Sequence, residues 1–150
     1  MITLEEVTER NWLMVRRLAV AKEQRGFLDN AVGILARGYV YRNCRPKLFA
    51  ITHNGTPVGL VFVRDMDEEP ACYELQQFMI DFHVQNQGFG SAALALILSL
   101  LREERKYPCV EVCVKESNTP ALHVYEKLGF ADTGYVDDTM PDCRDLRCCL

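Results

Sequence analysis

The 150-residue chain is predicted to be a mixed α/β domain, and three features carry the prediction. Tyr73–Lys106 reads as a strand, a glycine turn and a long apolar helix. Asn54-Gly55 sits between two apolar runs, the strongest short hairpin signal. Cys109–Lys115 (CVEVCVK) comes back as a strand after the helix, so it should lie parallel to Tyr73–Phe82 through a right-handed crossover. With 49% hydrophobic residues, the apolar content is enough for one domain over residues 1–150 with its own core.

Taken in order, Ile2–Val7 alternates as a first strand. Asn11–Gln24 places Trp12, Val15, Leu18 and Ala19 at helical spacing, with Thr8 or Asn11 as the cap. Phe27–Tyr41 reads as a second helical piece opened by Asp29 or Asn30, and Gly33 and Gly38 are expected to interrupt it. Such a piece either covers a substrate site or is a poorly packed surface helix. Lys47–His53 and Thr56–Arg64 flank the hairpin turn. The acidic run Asp65–Pro70 is expected to be a solvated connection, or else an acidic rim that attracts a polycation. Within Tyr73–Phe82, strand alternation puts Glu74, Gln76, Phe78 and Ile80 on one side. Ser91–Leu101 is almost all Ala, Leu and Ile, and Tyr107-Pro108 stops that helix. Asn118-Thr119-Pro120 opens a short helix showing Ala121, Leu122, Tyr125 and Leu128 on one side, and Gly129 closes it. Phe130–Val136 and Arg144–Cys149 are read as final strands. Repeats, low-complexity tracts and linkers are absent from the sequence.

Composition excludes several classes. The net charge is −4 and the basic residues are scattered, so no basic stripe points to nucleic acid. The opening MITLEEVTER lacks the apolar run of a signal peptide, and the Leu-rich run Ala92–Leu101 is too short to span a bilayer. A cytoplasmic protein without a membrane partner is therefore expected. The seven cysteines are odd in number and have no zinc-type spacing, which points to free, mostly buried thiols and no metal site. His53, His83 and His123 are expected at the surface.

The chemistry centres on Gln85-Asn86-Gln87-Gly88-Phe89-Gly90. A glycine turn that feeds a helix directs unpaired N–H groups and the positive end of the helix dipole at one spot, which makes an anion site for phosphate or pyrophosphate. The glycine turn by itself is a weak signal. IDFHVQNQGFGSAALALIL followed by a strand and then NTPALHVYEKLGF, with its Asn-x-x-Ala-x-x-x-Tyr-x-x-x-Gly-Phe pattern, closely resembles the GCN5-related N-acetyltransferases (GNAT). The segment AKEQRGFLDN and the piece after it resemble the bacterial spermine/spermidine (diamine) acetyltransferase group. The resemblance covers the whole chain. It implies a GNAT fold: a central, mostly antiparallel sheet of six to seven strands flanked by about four helices.

The resemblance also implies acetyl-CoA as co-substrate. Its pyrophosphate would sit on the turn formed by Gln85, Asn86, Gln87, Gly88, Phe89, Gly90 and Ser91. Its pantetheine arm would pair with the backbone of Phe78, Met79 and Ile80, and Asn118 and Ala121 would face it. Many relatives carry Gly and a basic residue where this chain has Asn86 and Gln87, which leaves the backbone amides to hold the phosphates. An alkyl amine of pKa about 10.4 is neutral only about once in a few thousand at pH 7, so a base contributes to rate. Tyr125 is implied as the acid beside the leaving sulfur. Glu74 is the candidate base acting through water, or else a solvated, ion-paired glutamate. Many polyamine acetyltransferases carry an acidic residue near Gln76, which is an amide here.

The reaction implied is direct acetyl transfer in a ternary complex to a primary amine of a small molecule, a polyamine or diamine such as spermidine or spermine. The alternatives are a peptide, protein or antibiotic amine as acceptor, and a non-catalytic acyl-CoA-binding regulatory module. Family habit implies a possible homodimer.

Overall fold

The computed structural model describes residues 1–150. Seven strands form one sheet in the order β1-β2-β3-β4-β5-β7-β6: β1 (Ile2–Glu6), β2 (Lys47–His53), β3 (Thr56–Met66), β4 (Cys72–Ile80), β5 (Cys109–Lys115), β6 (Ala131–Asp132) and β7 (Cys143–Cys149). Every pairing is antiparallel except β4 with β5. Four α-helices flank the sheet: α1 (Trp12–Val15), α2 (Ala31–Val40), α3 (Phe89–Glu104) and α4 (Thr119–Lys127). This is the mixed, mostly antiparallel architecture the resemblance implied. None of the helices is long and apolar enough to cross a membrane.

Alternation along β3 sends Val61 and Val63 into one buried cluster and Leu60 and Phe62 into another, so a core lies on each face. The larger has 19 buried residues and takes Ala93, Leu94, Ile97, Leu98 and Leu101 from α3 together with Leu122 and Tyr125 from α4. The smaller packs Val15, Leu18, Ala31 and Ile34 onto the opposite face. The hairpin closes as expected: Asn54 and Gly55 both have positive φ, 50° and 79°, and His53 pairs with Thr56.

Five expectations are corrected. The helix expected over Asn11–Gln24 is a single turn, because the Ala19 N–H donates to Asp81 Oδ2 and its carbonyl accepts from Phe82 N. Both groups are then lost to an α-helical ladder. Gly33 and Gly38 do not interrupt the second helix, which runs unbroken with Asn30 Oδ1 capping Gly33 N at 2.7 Å. They are small because neighbours come close: a Cβ on Gly33 would lie 2.2 Å from Asp29 Oδ1, and one on Gly38 would lie 3.2 Å from Leu48. The strand expected over Phe130–Val136 shrinks to Ala131–Asp132, and Gly134 at φ 78° turns the chain away. Asp65 belongs to β3 and is fully buried, not part of a solvated connection.

The fifth correction concerns β4. Phe62 pairs with Gln77 and Val63 with Leu75, so Gln76 is an extra residue in a bulge. Parity flips there. Tyr73 and Leu75 before the bulge, and Phe78 and Ile80 after it, all serve the larger core, whereas Glu74 points to the opposite face. The four-residue side expected for Glu74, Gln76, Phe78 and Ile80 does not exist.

Buried Asp65 ties three chain segments together. Its Oδ2 accepts from Arg45 and from Lys106, and Arg45 also reaches Asp67 at 2.6 Å. Burial acts to raise the Asp65 pKa, but the two cations outweigh it and hold the carboxyl below the usual range. Stability from a depressed carboxyl pKa is present above the unfolded value and lost as pH falls through the folded one. Asp65→Asn should cost about 2–4 kcal/mol at pH 7, measured by urea unfolding, and its deficit against wild type should shrink below about pH 4.

Candidate active site

β4 and β5 pair only at Tyr73–Val110 and Glu74–Glu111. Beyond these pairs the parallel strands part. The gap is a cleft of about 330 Å³ walled by Leu75–Ile80 on one side and by Val112–Lys115 on the other, with Val124 and Tyr125 of α4 lining it. The β4 backbone beyond Glu74 has no partner strand on this side, which leaves donors and acceptors for an extended ligand to pair with.

The mouth of the cleft is the turn before α3. Asn86 (φ 62°) and Gly88 (φ 80°) are both left-handed, a conformation that Asn tolerates and Gly adopts freely. α3 has no side-chain cap, and the amides of Phe89, Gly90 and Ser91 have no partner within the chain. A 16-residue helix thus directs its dipole and three free N–H groups into the mouth. Gln85 shapes the turn from behind: its amide pairs reciprocally with Gln24 (2.9 and 3.2 Å) and donates to Ile80 O at 2.9 Å. Lys115 is the one charged side chain lining the cleft.

A family profile described as Acetyltransferase (GNAT) family matches residues 12–130. The chain belongs to the GNAT acetyltransferase family. It is 23% identical over 141 residues, 91% of each chain, to the spermine/spermidine N(1)-acetyltransferase of Bacillus subtilis (strain 168). Its fold is similar to that of the Vibrio cholerae spermidine N-acetyltransferase crystallised with CoA and spermine (TM-score 0.78, 16% identity, 99% of this chain and 95% of the other). It is equally similar to the aminoglycoside acetyltransferase AAC(6')-Ib in complex with coenzyme A (TM-score 0.79, 18% identity, 99% and 95%).

The acetyl donor of this GNAT enzyme is acetyl-CoA, and the cleft fits it: a free strand edge suits the amide-bearing pantetheine arm, and uncapped helix amides suit a pyrophosphate. Of the residues expected to hold it, Phe78, Met79, Ile80, Gln85, Asn86, Gly88, Phe89, Gly90, Ser91, Asn118, Ala121 and Tyr125 all line the cleft. Gln87 is exposed outside it. Asn118 stands at the head of α4 without making a side-chain cap bond, which leaves its amide uncommitted at the cleft. The Met79 side chain packs into the smaller core, which leaves its backbone to the cleft. Val20, Gln24, Phe27 and Leu28 form a further wall. Phe27 and Leu28 open the piece expected to cover a substrate site, whereas nothing local marks Val20 and Gln24, so far upstream of the motifs.

Tyr125 is 6% exposed, with its ring edge-on to Phe130 at 5.2 Å between centroids. Burial pushes its pKa well above the usual phenol value, so it stays protonated throughout the working range and is equipped to donate a proton or hydrogen bond. Glu74 is not among the residues lining the cleft. Its carboxylate pairs with Arg64, whose guanidinium also lies over the Tyr41 ring at 4.8 Å.

A second cavity of about 550 Å³ lies on the face of the sheet to which Glu74 points. It shares Val112 and Cys113 with the cofactor cleft, so the two spaces meet across β5. Six carboxylates line it (Glu68, Glu69, Glu74, Glu111, Asp137 and Asp145) against a single guanidinium, Arg147. All seven cysteines are free, and no group of three or more His, Cys, Asp or Glu side chains is placed to hold a metal ion.

Gly88→Ala tests the turn. A Cβ at φ 80° meets no neighbour, so the cost is backbone strain alone, roughly 1–2 kcal/mol. Calorimetric titration with CoA should show affinity weakened roughly 5- to 30-fold if the turn holds the pyrophosphate.

Proposed function

We propose that the protein transfers acetyl from acetyl-CoA to a primary amine of a small polycation, a polyamine or diamine such as spermidine or spermine. The carrying observation is the acidic cavity that meets the cofactor cleft at Val112 and Cys113. A chain of ammonium groups would find there a set of carboxylates with few competing cations, while one nitrogen reaches the shared wall. The names of the B. subtilis and V. cholerae relatives support the same acceptor class.

When bound, acetyl-CoA supplies an activated acyl group. The protein's main contribution is to hold the amine against the thioester across the shared wall. The unpaired β4 backbone supplies donors toward the carbonyl oxygen. As the new C–N bond forms and the C–S bond breaks, the electron pair leaves on sulfur, which takes the Tyr125 hydroxyl proton. The phenolate is made neutral again by the proton shed from the acylated nitrogen.

An aminoglycoside or peptide amine is the second reading, favoured by the equal fold similarity to the aminoglycoside enzyme. Purified protein, acetyl-CoA and a panel of spermidine, spermine, putrescine, an aminoglycoside and short peptides, read by mass spectrometry, discriminate between the two. Acetylated polyamine is expected, and product from the aminoglycoside or peptides alone would overturn the polyamine assignment. Tyr125→Phe should lower kcat about 10²- to 10⁴-fold while leaving CoA affinity within about threefold. Unchanged turnover would remove Tyr125 from the chemistry, and a wild type without turnover on any amine would point to a non-catalytic acyl-CoA-binding module.

A further inference from the structure

The proposed reaction leaves the base unassigned. Glu74 and Glu111 are each neutralised by a guanidinium, from Arg64 and Arg147 respectively. Cys113 reaches the shared wall, but partial desolvation and the neighbouring Cys143 raise its thiol above the usual range, so it carries no charge at neutral pH. His83 and His123 are exposed away from both cavities, and His53 stacks on Phe89.

Asp145 differs from all of these. It sits on β7 directly opposite Cys113 in the β5–β7 register and faces the acidic cavity. Cross-strand partners place their Cβ atoms roughly 5 Å apart, so the Asp145 carboxyl lies next to the wall that separates acceptor from cofactor. Thr133 Oγ1 donates to its Oδ2 at 2.9 Å, while Oδ1 takes no hydrogen bond within the chain, and the nearby Arg147 pairs with Glu111 instead. One oxygen is thus held still, and the other is free for a ligand.

We propose that Asp145 is the carboxylate that receives the acceptor: its free oxygen holds the reacting ammonium and takes one proton from it before attack. The assignment rests on the acetyltransferase reading above. In this step an N–H bond of the ammonium breaks, the electron pair remains on nitrogen, and an O–H bond forms on Asp145. That proton later passes to solvent through the open cavity.

The groups around Asp145 suit the task. Burial is the main cause that lifts its carboxyl above the usual range. Glu111 on β5 and Asp132 on β6 add to the lift, while the Thr133 hydrogen bond and Arg147 oppose it. The other titratable groups of the lining are Cys113 on β5, Cys143 on β7, Glu74 on β4 and the loop residues Glu68, Glu69, Tyr135 and Asp137, and none brings a positive charge. A carboxylate raised toward neutrality is a stronger base than a solvated one, and the cavity's one guanidinium, Arg147, is already paired with Glu111.

The test has two arms. In steady-state kinetics with spermidine, wild type should lose kcat/KM on the acid side as Asp145 is protonated. Asp145→Asn should lower kcat about 10²- to 10³-fold and abolish that acid limb, while Asp145→Glu restores part of the rate and CoA affinity stays unchanged. An Asp145→Asn enzyme with wild-type kcat and an intact acid limb would overturn the proposal, as would an effect confined to KM. In the second arm, carboxyl-carbon NMR of the CoA-bound wild type follows Asp145 as spermidine is added. A shift of its signal without turnover on any amine would sink the acetyl-transfer reading and retain the ammonium site. No shift would overturn the role of Asp145 whatever the turnover, and this arm does not depend on a variant that folds.

Discussion

β4 and β5 run side by side for two residue pairs and then separate, and the site depends on that separation. A fully zipped parallel pair would bury the β4 edge and close the gap. Because the strands part, the β4 backbone keeps open hydrogen-bonding groups over Leu75–Ile80, and each strand delivers its following helix, α3 or α4, to the same opening. The bulge at Gln76 belongs to the same device. It bends β4 and turns Phe78 and Ile80 toward the larger core, and it leaves the Gln76 and Gln77 amides to hold Arg37 and the Asp29 backbone on the other face.

Electrostatics divide the two sides of this gap. The cleft between β4 and β5 is lined almost wholly by neutral groups, with Lys115 alone charged, so the free amides and dipole of α3 are the main source of positive potential at its mouth. The space across β5 is the reverse, rich in carboxylates. The two spaces converge at Val112 and Cys113, so the proposed cationic acceptor would enter apart from the anionic donor. Buried Tyr125 stays protonated within the first space, while Asp145 makes no ion pair in the second, where Arg147 pairs with Glu111. The Asp65 knot serves stability instead, joining Arg45, the end of β3 and the chain just beyond α3.

Much of this was legible in the residues. The hairpin at Asn54-Gly55, the left-handed turn at Gly88, the parallel return of β5 and the Asn118–Tyr125 helix each follow from local chemistry: positive φ, free helix amides, alternation, and a proline near a helix start. Most residues expected at the cofactor line the cleft for the same reason, since they cluster within the turn and the strand and helix beside it. α1 was misread because the groups that shorten it, Asp81 and Phe82, lie over sixty residues away. Gly33 and Gly38 were misread as breaks because their packing neighbours, Asp29 and Leu48, are visible only in space.

The sequence by itself therefore determined the family, the architecture, the left-handed turn before α3 and the place of Tyr125 on α4, all of which rest on short-range patterns. Tertiary structure alone decided which carboxylates are free. One extra residue in β4 turned Glu74 away from Phe78 and Ile80 and placed it beside Arg64, and the β5–β7 register set Asp145 against Cys113. Strand parity and register are long-range properties. A single bulge reverses every side chain beyond it, and no local pattern in the chain records on which face a charge will emerge.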